Sequence, residues 1–113
     1  MTPSALENEI NLLHERICVA LGDPKRILLL YMTADGGKTV NELTELLGVP
    51  QSTVSRHLRV LRERGLVNTT RAGTSIIYAI SDSRLVEALD LLRQVLNKQL
   101  SDQVDLTATF IVK

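Results

Sequence analysis

The run from Thr39 to Gly65, TVNELTELLGVPQSTVSRHLRVLRERG, constrains the fold more than any other stretch of this chain. Thr39 and Glu42 have capping-box spacing, in which each side chain satisfies an orphan N–H at a helix start. Leu43, Leu46 and Leu47 supply the apolar side of that short helix. Gly48 follows at once, where a left-handed residue without a Cβ ends helices. Pro50 opens a second helix at its first position, where its missing N–H costs nothing. Val54, Leu58 and Leu61 lie at i, i+4 and i+7, so one stripe faces inward. Gln51, Ser52, Ser55, Arg56, Arg59 and Arg62 point elsewhere. Two short helices about a glycine turn, the second with amide, hydroxyl and guanidinium groups outward, form a helix-turn-helix pattern.

The flanking segments complete a small domain. Leu6, Ile10, Leu13, Ile17 and Leu21 make a helical apolar stripe that stops at Gly22. Asp23 is a natural N-cap with Pro24 at the first helical position. The helix they open carries Ile27, Leu28, Leu30 and Tyr31 and is expected to be the central core helix, with Lys25 and Arg26 at its exposed start. Asp35-Gly36-Gly37-Lys38 ends it. After Gly65 the apolar period changes from 3.6 to 2. Leu66 to Arg71 and Thr74 to Ile80 read as a β-hairpin about Ala72-Gly73, with Ile76, Tyr78 and Ile80 on one face. Asp82 caps a last helix with a stripe of Leu85, Leu89, Leu92 and Leu96, widened by Val86 and Val95. The expected fold is mainly α with a β-hairpin wing (α+β), in the order α1-α2-α3-α4-β1-β2-α5. Residues 1–100 form a single winged-helix domain, and 101–113 a tail in which Val104, Leu106, Ala108, Phe110 and Val112 alternate and hint at a strand.

Charge distribution says more about partners than net charge does. The chain is neutral overall. Between Pro50 and Ser75, however, Arg56, Arg59, Arg62, Arg64 and Arg71 face a lone Glu63, while Glu7, Glu9 and Glu15 fill the first fifteen residues without a basic partner. A local basic face on a neutral chain suits a DNA reader whose other surfaces do something else. A lone cysteine, Cys18, excludes an intrachain disulfide framework and fits a reducing interior. No apolar run is long enough to span a bilayer, and no secretory signal opens the chain, so a cytoplasmic protein is expected. No nucleophile–base pair, carboxylate dyad or glycine-rich phosphate loop is present, which argues against an enzyme.

Three runs carry a family resemblance: ALGDPKRILLLYM, VNELTELLGVPQSTVSRHLRVLRERGLV and the Gly73–Tyr78 wing. From about Ala20 to Leu96 the chain resembles the ArsR/SmtB family of bacterial winged-helix repressors. The Ser52–Val67 run is the most specific part. The resemblance implies a homodimer whose first and last helices form the interface and whose α4 lies in the major groove. It implies repression by occupying a palindromic operator on double-stranded DNA, and release when an effector binds.

On that frame, Gln51, Ser52, Ser55 and Arg56 are expected to face base edges, Gln51 suited to adenine and Arg56 to guanine. Thr53 and His57 are expected near the DNA backbone. Arg59 and Arg62 are expected at phosphate or in solvent, and Arg71, Gly73 and Thr74 at the adjacent minor groove or its phosphates. The interface is expected from Leu6, Ile10, Leu13, Ile17, Leu85, Leu89, Leu92 and Leu96, since a small core leaves both outer stripes in need of cover.

Neither metal site known in this family is matched. The relatives' two α3 cysteines stand where this chain has Thr39 and Asn41. Of their α5 Asp-His-His-Glu set Asp82 remains, with Arg84, Val95 and Lys98 elsewhere, and those three cannot bind zinc. His14 and Cys18, four apart, are a soft-ligand pair, with Cys18 as an ordinary packed core residue the expected reading. No metal or cofactor is therefore assigned, and the effector is unidentified. The competing reading is a winged-helix module that binds protein without DNA.

Overall fold

The computed structural model describes residues 2–112, and side chains over residues 2–103. The chain forms two compact units, Met1–Ser83 and Arg84–Lys113.

The first unit begins with α1 (Pro3–Leu13), whose start is capped by Thr2, the Oγ1 accepting from Ala5 N at 3.1 Å. None of its residues is buried. The stripe then does not continue as an α-helix. His14–Cys18 form a π turn, with Val19 N–H donating to His14 O at 2.9 Å. This wide turn shifts the phase of the side chains that follow. Ile17 is half-buried, and Cys18 is exposed rather than packed in the core.

Helix α2 (Pro24–Ala34) opens as Asp23-Pro24 requires, with Asp23 Oδ1 accepting from Lys25 N at 2.8 Å. Its buried residues are Leu29, Leu30 and Thr33, the last donating its hydroxyl to Leu29 O at 2.7 Å. Leu28, expected inward, is 47% exposed, because the inward face of α2 is set by Leu29, Leu30 and Thr33. Arg26, expected in solvent, is half-buried.

Helix α3 (Val40–Leu47) carries the capping box in full: Glu42 N–H donates to Thr39 Oγ1, and Thr39 N–H to Glu42 Oε1. Gly48 ends it at φ 68°. Leu43 is buried, Leu47 half-buried and Leu46 exposed, so the apolar face is narrower than expected. Helix α4 (Gln51–Glu63) starts one residue later than expected. Pro50 stands at the N-cap with extended ψ, where its carbonyl accepts from Thr53 N–H and Val54 N–H. Val54, Leu58 and Leu61 are fully buried, each contributing about 2 kcal/mol through burial.

The wing pairs β1 (Val67–Ala72) antiparallel with β2 (Ser75–Ile80), in register Val67 to Ile80 through Ala72 to Ser75. The turn is Gly73-Thr74, one residue beyond the expected Ala72-Gly73. Its base is anchored by a contact between distant parts of the chain. Lys38 N–H donates to Tyr78 O at 2.9 Å, and Tyr78 N–H to Lys38 O at 2.8 Å. Gly37 permits this approach, since a Cβ there would run into the Ile77 side chain. The unit's core is thus Ala20, Leu29, Leu30, Leu43, Val54, Leu58, Leu61, Leu66 and Val67.

The second unit is one helix, α5 (Arg84–Val112). The strand hinted at in the tail is not formed: α5 runs on through those residues, since no Gly or Pro interrupts the chain after Arg84. Lys113 lies outside the described residues. Within α5, Leu89, expected at the subunit interface, is instead buried in the single chain; Leu85 is half-buried, and Leu92 and Leu96 are 63% and 51% exposed. No helix among the described residues is long and apolar enough to cross a membrane.

Candidate nucleic-acid interface

Helix α4 divides along its length. Val54, His57, Leu58 and Leu61 are buried. Gln51, Ser52, Ser55, Arg56, Arg59 and Arg62 are exposed, and Thr53 is half-buried between the two faces. The exposed set repeats at three and four residues, so amide, hydroxyl and guanidinium groups share one side of a straight rod. The side chains of Arg56, Arg59 and Arg62 make no hydrogen bond or ion pair among the described residues. No side chain caps the start of α4, which leaves the positive end of its dipole open beside Gln51 and Ser52.

At the wing, Arg71, Gly73 and Thr74 are exposed, and the Arg71 guanidinium is likewise without a hydrogen-bond or ion-pair partner among the described residues. Through the Lys38–Tyr78 pairing this tip stands on a hairpin fixed at its base to the segment before α3. Cations on two rigid backbone elements can meet a polyanion without the cost of ordering a loop.

His57 does not belong to that exposed set. It is 7% exposed, and its Nδ1 lies 3.4 Å from Arg26 Nη1. Expected near the DNA backbone, the ring instead faces inward, because position 57 falls on the same side as Val54, Leu58 and Leu61. Burial pushes its pKa below the ordinary value, opposed by the Asp23 carboxylate and assisted by the charges of Arg26, Arg56 and Lys25. The Arg26 partnership escaped sequence reasoning. The GDPKR run was its only local signal, since the two residues stand 31 positions apart. Arg64, grouped with the basic cluster, is engaged too, its Nη1 donating to Glu15 O at 3.0 Å.

His14 and Cys18 bracket the π turn, and both are exposed. No group of three or more His, Cys, Asp or Glu able to hold a metal ion occurs among the described residues.

A basic helix set between a glycine turn and an anchored hairpin defines a winged helix-turn-helix protein. The family model of bacterial regulatory proteins of the arsR family matches residues 23–69. The HTH-type transcriptional regulator NmtR of Mycobacterium tuberculosis is 44% identical over 71 residues, which are 63% of this chain and 59% of that protein. The chain thus spans a little over half the length of that relative. The HTH-type transcriptional regulator CmtR of Mycobacterium bovis is 41% identical over 78% of this chain and 75% of its own. Among solved structures, the homodimeric winged helix-turn-helix DNA-binding domain Mb0332 from Mycobacterium bovis matches at TM-score 0.70 and 25% identity, over 88% of this chain and 91% of that one. The chain belongs to the arsR family of bacterial regulatory proteins, and its relatives are transcriptional regulators.

Proposed function

We propose that this protein is a sequence-specific DNA-binding transcriptional repressor, working in the cytoplasm as a homodimer and without catalytic activity. Gln51, Ser52, Ser55 and Arg56 read base edges in the major groove. Thr53 and Arg59 meet the DNA backbone, and Arg71 and Thr74 reach the adjacent minor groove. His57 takes no direct part. Support comes chiefly from one observation: the side chains of Arg56, Arg59, Arg62 and Arg71 have no hydrogen-bond or ion-pair partner among the described residues, although acidic residues are as numerous as basic ones overall. A surface that leaves its cations unpaired is available to phosphate.

Leu6, Ile10, Leu13, Leu92 and Leu96 supply the subunit interface, with Ile17 and Leu85 at its edge, in a domain spanning residues 1–100. Each of the first five is between 43% and 63% exposed in the single chain. That much unburied leucine and isoleucine on two helices fits a twofold contact, and Mb0332 is a homodimer. An effector acting on this dimer releases the operator.

Selection of bound duplexes from a random pool tests the reading. Palindromic winners with half-sites about one helical turn apart, bound with a steep salt dependence, are the expected result. Failure to enrich any duplex overturns it.

A further inference from the structure

Two guanidinium groups tie one short stretch of chain to two points on α4. Arg26, in the first turn of α2, donates Nε–H to Ala20 O at 2.6 Å and Nη2–H to Val19 O at 3.3 Å, while its Nη1 meets His57 Nδ1. Arg64, at the C-cap of α4, donates to Glu15 O at 3.0 Å. Glu15 lies within the π turn, and Val19 and Ala20 immediately follow it. The carbonyls at the end of a helical segment carry partial negative charge, so cations are favoured there. His57 and Arg64 are two turns apart, about 10 Å along the axis of α4. A rod held at one point can pivot, whereas a rod held at two points by one body takes its inclination from that body.

We propose that Arg26 and Arg64 are positioning residues that set the inclination of α4 against the segment Glu15–Ala20, so that a displacement of the π turn carries α4 with it. The planar fork of Arg26 suits this role, because it bonds two carbonyls and a ring nitrogen at once. The π turn suits it as well, since single π turns within helical segments occur frequently at functional sites. The consequence for DNA rests on the function proposed above; the mechanical link does not.

The test is NMR on the full chain. Residual dipolar couplings of the α4 amides are compared with those of α2 in the wild type, in Arg26→Lys, in Arg64→Gln and in the double variant. Each single variant is expected to tilt α4 while its shifts remain helical, and the double variant to tilt it further. Deleting Arg16, which removes the extra residue of the π turn, should move α4 in the wild-type background and not in the double variant. On a duplex selected by the wild-type protein, Arg26→Lys should bind about tenfold more weakly with an unchanged slope of log K against log salt concentration. A lost phosphate contact would instead reduce that slope by about one. Unchanged couplings in both single variants, or an Arg16 deletion that leaves α4 in place, overturn the proposal. Should Arg26→Lys not fold, Arg64→Gln decides by the same couplings. Should the wild type select no duplex, the DNA reading falls, and the couplings still decide the link.

Discussion

The guanidinium of Arg26 and the imidazole of His57 meet at 3.4 Å, Nη1 to Nδ1, across helices α2 and α4. A guanidinium has donors and no acceptor, so Nδ1 must offer its lone pair. The ring is therefore neutral in the folded chain, with its proton on Nε2. Protonation would set a second cation against the first inside the protein.

That arrangement predicts a pH dependence of stability. His57 in the unfolded chain takes up a proton near its ordinary value of 6.5, and in the folded chain only at lower pH. Between the two values the unfolded state binds more protons, so stability falls as pH drops through that window and levels off below it. Urea midpoints measured from pH 7.5 down to pH 5 should show the fall. His57→Asn, which keeps an acceptor near the Nδ1 position, should flatten it. An equal fall in the variant would place the titrating group elsewhere.

The α4 face and the wing should respond differently to substitution. Arg56→Ala should cost about 1–3 kcal/mol on a selected duplex and relax one base position among the winners. Arg71→Ala should weaken binding across sequences and reduce the salt slope by about one. Fluorescence anisotropy at several salt concentrations separates the two behaviours.

Thr39→Ala removes one half of the capping box on α3. The expected loss is about 1 kcal/mol, or a Tm lower by about 5 °C in a domain of this size. The hydrogen bonds from the Thr39 backbone N–H and hydroxyl hold the Glu42 carboxyl below its ordinary 4.5. Its contribution is present above that value and is lost as pH falls through the folded pKa. Calorimetry at pH 7 and pH 3.5 should find the gap between wild type and variant narrower at the lower pH.

Leu92 and Leu96 stand on successive turns of α5 and are both exposed in the single chain. Leu92→Glu should convert the protein to a monomer, because a carboxylate cannot be buried unpaired at a twofold contact. Light scattering coupled to size exclusion reads the mass. The far-UV spectrum should stay helical, and affinity for a two-half-site duplex should fall with the mass. A variant that keeps the dimer mass would move the interface away from this stripe.

The amino-acid sequence alone determined the start of α3, its end and the inner face of α4, whose causes lie within three or four residues. Thr39 and Glu42 announce the start of α3, Gly48 its end, and Val54, Leu58 and Leu61 the inner face of α4, because capping, left-handed φ and helical spacing are local properties. Spacing of the same kind misjudged Leu28 and Leu46, whose burial depends on where neighbouring elements end rather than on their own period. Only the tertiary structure decided that His57 meets Arg26, that Lys38 pairs with Tyr78, and that Arg64 reaches a carbonyl 49 positions away. Each of those contacts joins residues brought together only by the packing of the common core. No sequence pattern of period 2 or 3.6 encodes them.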